Sequence, residues 1–238
     1  IISGILFIVA YFLHRRFSFR DFKRVGVAIY ANGVENLNSI HERIGHYPDF
    51  IHVDIVDSSF TSSPEEVKTY RMETIKALWR NQEIHTHIMS KTPSIWLSEV
   101  LPYSDIVYIH WECDEDIKTV LDIIHKADKK AGLALTMKTT LDDVGEIFKQ
   151  MDAVLLLTIS EPGYSGQKFD IDGLKRIEQL NELPFRDHFR VCVDGGINEK
   201  IISLVQVEDV VSGASVLNHS NPKQQILRLQ TSGRYEVL

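Results

Sequence analysis

Short, continuous apolar runs alternate along the chain with longer stretches in which apolar residues recur every three or four positions. Apolar runs rich in Val and Ile read as strands buried on both faces, and the amphipathic stretches read as helices. The pattern predicts strands over VGVAIY (25–30), FIHVDIV (50–56), EIHTHIM (83–89), DIVYIHW (105–111), GLALTM (132–137), DAVLLLTI (152–159), FRVCVDGG (189–196) and DVVSGAS (209–215). Helices are expected over 35–45, 64–80, a short stretch opened by Pro93, 114–130, 140–149, 170–182, 198–205 and 221–230. Pro64-Glu65-Glu66 makes a good first helical turn. Strict strand–helix alternation means a parallel sheet covered by helices, and eight such units close into an α/β (β/α)8 TIM barrel. An open doubly wound sheet is the alternative, disfavoured because no Gly-rich dinucleotide turn is present.

The 238 residues, 44% of them hydrophobic, suffice for one such barrel over 25–238. A net charge of −7 excludes nucleic-acid binding by simple electrostatics. Cys113 and Cys192 form no CxxC motif, which points to a reducing compartment. The N-terminus stands apart. Residues 1–13 carry no charge, and HRRFSFRDFKR (14–24) holds five Lys/Arg against one Asp. Thirteen residues fall short of the roughly 20 that span a bilayer. They read as the end of a transmembrane helix followed by a basic juxtamembrane collar, so that everything after Arg24 lies in the cytoplasm, attached to the inner or plasma membrane. A buried N-terminal helix with a solvated basic end is the competing explanation.

Function in such a barrel is sought at the C-terminal ends of the strands. Alternate strand residues share a face, so in HVDIVDSSF (52–60) His52 and Asp54 point the same way. Two polar groups facing a barrel interior are costly unless satisfied, by a metal ion or by each other. In IHTHIM (84–89) His85 and His87 again share a face. In VCVDGGIN (191–198) Asp194 ends a strand, either as a carboxylate over the barrel mouth or as a helix cap. EPGYSGQ (161–167) and SGAS (212–215) are glycine turns after strands six and eight, of the kind that present backbone N–H groups to anions. With Gly195-Gly196 they converge on one side of the mouth, where these barrels hold phosphate.

Taken together, these motifs resemble the ribulose-phosphate 3-epimerase family over about residues 25–230. HVDIVDSSF is similar to that family's His-x-Asp-x-Met-Asp-Gly-His-Phe, His87-Ile88-Met89 to its His-Leu-Met, and His110-Trp111-Glu112 to its His-x-Glu. EPGYSGQ is similar to the phosphate loop Glu-Pro-Gly-Phe-Gly-Gly-Gln, and Val-Asp-Gly-Gly-Ile is intact at 193–197. The resemblance implies one divalent metal ion (zinc, iron or manganese) on His52, Asp54, His87 and Asp194. It also implies Asp54 and Asp194 as the acid–base pair that inverts carbon 3 of a ketopentose 5-phosphate through an enediolate. Substrate and phosphate contacts fall on Met89, Gly163, Tyr164, Ser165, Gly166, Gly195, Gly196, Gly213 and Ala214. The partner is a small sugar phosphate; a homo-oligomer is left open.

The departures fall outside the metal set. Ala28 stands for a family Ser, Val56 for Met, and Ser58-Ser59 for Gly-His. LTMKTT stands where Asn-Pro-x-Thr is usual, one extra residue precedes the phosphate loop, and Ser165 replaces a Gly. At a position of positive φ that Ser would cost roughly 1 kcal/mol. The expectation is retained chemistry with an altered or less efficiently handled sugar. The alternative is a non-catalytic sugar-phosphate-binding barrel that regulates a membrane protein of polysaccharide or lipid-linked sugar traffic. IVAYFLHRRFSFR resembles the last transmembrane helix and exit of GtrA-like membrane proteins, which supplies the possible tether.

Overall fold

The computed structural model describes residues 23–61 and 67–232. The apolar run 1–13, most of the basic stretch after it and Pro64-Glu65-Glu66 lie outside the described residues. No helix among the described residues is long and apolar enough to cross a membrane.

Eight parallel strands close into a barrel in sequence order. They are β1 Arg24–Tyr30, β2 Phe50–Val56, β3 Glu83–Met89, β4 Ile106–His110, β5 Lys130–Leu135, β6 Ala153–Leu157, β7 Arg190–Asp194 and β8 Asp209–Val211. The helices are α1 Leu37–Ile44, α2 Tyr70–Leu78, α3 Ser94–Val100, α4 Ile117–Lys126, α5 Leu141–Val144, α6 Gly173–Asn181, α7 Ala214–Leu217 and α8 Pro222–Thr231. Side-chain oxygens start several of them: Asn36 accepts from Ser39 N–H, Asp116 from Thr119 N–H, and Asn221 from Gln224 N–H just before Pro222.

Four expectations change. Arg24, read as the end of the basic stretch, is the first residue of β1 and faces the barrel interior, pairing with Glu83 at 2.6 Å. Residues 67–69 are not helical, so α2 starts at Tyr70 rather than at Pro64. The helix expected over 140–149 breaks at Gly145, whose φ of 49° ends α5, and continues as a 3-10 helix over Gly145–Gln150. Residues 198–205 form turns, not a helix. The Asn198 side chain accepts from Lys200 and Ile201 N–H, and Ile202, Val205 and Val207 are buried, so the segment follows the barrel wall directly to β8.

Two apolar layers result. One lies between barrel and helices and is built on residues such as Ile51, Val53, Val107, Leu133 and Trp79. The other fills the barrel with Phe50, Ile106, Tyr108, Leu155, Cys192 and their neighbours. Cys192 is thus an interior residue. Large rings need small partners here: a Cβ on Gly132 would fall 2.3 Å from the Tyr108 ring. Below this interior core Arg24, Glu83, Lys130, Arg190 and Asp209 form an ion-pair network. Above it lies the site.

Candidate active site

Strand alternation brings His52 and Asp54 of β2, His87 of β3 and Asp194 of β7 to the upper interior. β2 and β3 pair so that Asp54 lies beside His87. Barrel closure then carries Asp194 across to them. His87 Nδ1 lies 3.0 Å from Asp54 Oδ1. His52 Nε2 lies 3.3 Å from Asp54 Oδ1 and 4.0 Å from Asp194 Oδ2. One ligand atom from each of the four residues falls within 4.8 Å of the others. His85, by contrast, points to the lower interior, stacks on Phe50 at 4.1 Å and faces Glu83.

The electrostatics are those of a site with excess negative charge. Burial pushes the Asp54 carboxyl up, but His52 and His87 outweigh it and hold the group well below the usual carboxylate range. Asp194 goes the other way: burial and the Asp54 charge raise it well above that range. Burial lowers His52, yet the two carboxylates prevail and hold it above its ordinary value. His87 is pushed down to about 4, chiefly by burial and against the pull of Asp54, and is a neutral imidazole. Both ring nitrogens of His52 are buried without a hydrogen-bond partner. Two carboxylates, a neutral imidazole and an orphaned one form a donor set that fits a divalent first-row metal ion.

A buried chain continues from His87, and reading the sequence assigned it no role. His87 Nε2 lies 2.9 Å from His110 Nε2, and His110 Nδ1 lies 2.9 Å from Glu112 Oε2. Glu112 Oε1 accepts from Thr136 N–H at 3.1 Å and from the Thr136 and Thr139 hydroxyls. The His-x-Glu motif and its position at the end of β4 were the available signal.

Over these groups opens a cavity of about 200 Å³. Its wall includes Met89, Gly163, Tyr164, Ser165, Gly166, Gly195, Gly196, Gly213 and Ala214. Gly163, Gly166, Gly195 and Gly196 have positive φ. Gly196 is also sterically required, because a Cβ there would fall 2.1 Å from Phe169 N. Among the described residues only Asp128 combines positive φ with a side chain, so Ser165 carries none of the strain its substitution suggested. Gln167 ties the two ends of this loop together. Its amide donates to the Glu161 and Tyr164 carbonyls and accepts from Ser160 Oγ and Glu161 N–H. Asp57 organises the β2 loop by accepting from Ser59 and, at 2.9 Å, from Trp96 Nε1. Tyr30 lines the cavity unforeseen, although it shares a face with Ala28 and lies in register with Asp54.

Paired carboxylates, imidazoles and a glycine-rich rim at the upper mouth of a closed parallel barrel are the arrangement of a (β/α)8-barrel enzyme site, at the end of the barrel where such enzymes frequently bind phosphate. The chain belongs to the ribulose-phosphate 3 epimerase family, whose model matches residues 25–217. It is 25% identical over 233 residues to the ribulose-phosphate 3-epimerase of Candida glabrata, covering 90% of this chain and 93% of that one. It is 28% identical over 194 residues to the enzyme of the same name from Chlamydia trachomatis, covering 76% and 81%. The structure of 3-hexulose-6-phosphate synthase from Salmonella typhimurium shares the fold with a TM-score of 0.66, covering 89% of this chain and 98% of that one at 16% identity.

Proposed function

We propose that the chain is a metal-dependent 3-epimerase of a ketopentose 5-phosphate, of the ribulose 5-phosphate/xylulose 5-phosphate type. The observation that carries this reading is the convergence of His52, Asp54, His87 and Asp194, with ligand atoms within 4.8 Å of one another, under the glycine rim. A divalent ion on these four residues would supply Lewis-acid stabilisation of the negative charge that develops on the substrate when carbon 3 loses its proton. Inversion needs a base on one face of that carbon and an acid on the other. Asp54 on β2 and Asp194 on β7 would serve as that pair, one ionised and the other protonated at a carboxylate oxygen. Backbone N–H groups of Gly166, Gly196 and Gly213 would hold the phosphate. Ala214 and Ser215, the first residues of α7, line the same edge of the cavity. The glycine rim would fix the far end of the substrate and so orient carbon 3.

Ala28 brings no hydroxyl to the cavity wall. This supports an altered sugar, or slower turnover of ribulose 5-phosphate; turnover at ordinary family rates would refute that part. The main test is exchange of the carbon-3 hydrogen of ribulose 5-phosphate in heavy water, followed by NMR with the full chain loaded with zinc, manganese or iron. Metal-dependent exchange that disappears in Asp54→Asn and Asp194→Asn is expected. A folded, metal-loaded chain that exchanges no hydrogen on this or a related ketopentose phosphate would overturn the reading.

A further inference from the structure

The donors and acceptors along His87, His110 and Glu112 can be assigned from both ends. His87 Nδ1 is the nitrogen on the Asp54 side, and Nε2 is turned away onto His110. An imidazole nitrogen binds a cation through its lone pair. With a cation in the site, His87 Nδ1 therefore carries no proton and Nε2 carries it. That N–H donates to His110, whose Nε2 accepts. His110 then holds its own proton on Nδ1 and donates it to Glu112 Oε2 at 2.9 Å. An ionised carboxylate suits this end because it accepts and never donates. Its second oxygen is engaged by Thr136 N–H, at 3.1 Å, and by two threonine hydroxyls. The backbone N–H cannot reverse its direction. His110 is fully buried between the rings of His87, at 5.0 Å, and Phe60, at 4.4 Å, so solvent offers it no other partner.

We propose that Glu112 is a positioning residue: acting through His110, it locks His87 into the tautomer whose Nδ1 lone pair faces Asp54, and so sets the affinity of the site for a divalent cation. The inference rests on the metal-dependent reading above. It extends the site to β4 and to the segment after β5, where Thr136 and Thr139 anchor the carboxylate. That segment is one of those that depart from the family pattern.

Two substitutions separate this role from simple space filling. In Glu112→Gln the Thr136 N–H and the two hydroxyls keep the amide oxygen, which turns the amide N–H toward His110 Nδ1. His110 must then accept there and donate from Nε2. His87 accepts at Nε2 and carries its proton on Nδ1, where the cation belongs. In Glu112→Ala no donor is aimed at His110, and the ring takes either tautomer. Zinc affinity of the full chain, measured in competition with a chromogenic chelator, is expected to fall about 10–100-fold in Glu112→Gln and by less in Glu112→Ala. Equal losses, or a larger loss in Glu112→Ala, would overturn the proposal while leaving the metal-dependent reading intact. A wild-type chain that takes up no zinc would overturn both. A readout that needs no variant is long-range proton–nitrogen NMR of histidine-labelled, zinc-loaded wild type. A proton on His87 Nε2 is expected; a proton on Nδ1 would overturn the assignment.

Discussion

At the lower end of the barrel interior, Arg190 grips the buried Asp209 carboxylate with two hydrogen bonds of 2.6 and 3.0 Å, and Arg24 binds Glu83 at 2.6 Å. At the upper end, His52 approaches two carboxylates at 3.3 and 4.0 Å and makes no hydrogen bond through either nitrogen. Both ends place charge inside a closed barrel. The lower end answers each carboxylate with a guanidinium of the same chain, which offsets much of the cost of burial. The upper end sets two carboxylates against each other, with only imidazoles nearby. The imbalance falls on Asp194, whose carboxyl burial and the Asp54 charge hold well above the usual range, at a cost in stability. One end holds its charges in matched pairs; the other carries the four residues proposed above to hold a metal ion.

The sharpest way to break this contrast is to neutralise one charge at each end. Asp54→Asn and Asp194→Asn should each lower epimerisation by about 10²–10⁴-fold. Asp194→Asn should also raise stability by about 0.5–2 kcal/mol, because it removes a carboxylate that burial and Asp54 disfavour. Rate assays and denaturant titrations on the same samples check both halves; a less stable Asp194→Asn would sink the contrast. Asp209→Asn should do the reverse. It should cost about 2–4 kcal/mol, tempered by the part-exposed Arg190, and leave the turnover of the surviving folded enzyme unchanged.

Between the two ends, Gly132→Ala should cost about 1–3 kcal/mol, since the added Cβ would overlap the Tyr108 ring. A thermal melt unchanged from wild type would show that the interior layer is looser than this contact implies. The smallest expected effect concerns pH. The His85 hydrogen bond leads in lowering the Glu83 carboxyl, against burial and with Arg24 helping, so its folded value lies below its unfolded one. Its contribution is therefore complete above the ordinary glutamate value of 4.5 and is lost as pH falls below it. Urea titrations across that range should show a shallower acid loss in Glu83→Gln than in wild type; parallel curves would remove Glu83 from the lower network.

Much of this was legible in the chain. The eight strands, the interior face shared by His52 and Asp54, and the placement of Asp194 before two glycines follow from local periodicity and turn chemistry. The misreadings have local physical causes as well. Arg24 looked like part of a charged collar because nothing in sequence reveals that Glu83 lies opposite it. The stretch over 198–205 has helical spacing, but its apolar residues are drawn onto the barrel wall in turns. Ser165 looked strained because the residue that carries positive φ in this loop cannot be read from composition.

By itself, then, the sequence determined the order of the elements and the direction each strand residue faces, because both depend on backbone geometry that repeats every two or 3.6 residues. Only the tertiary structure decided which groups meet. Asp54 and Asp194 are brought together by the closing of the barrel, and His87 reaches Glu112 only through a histidine on the next strand. Such contacts depend on the register and stagger of strands distant in sequence, and no local pattern encodes them.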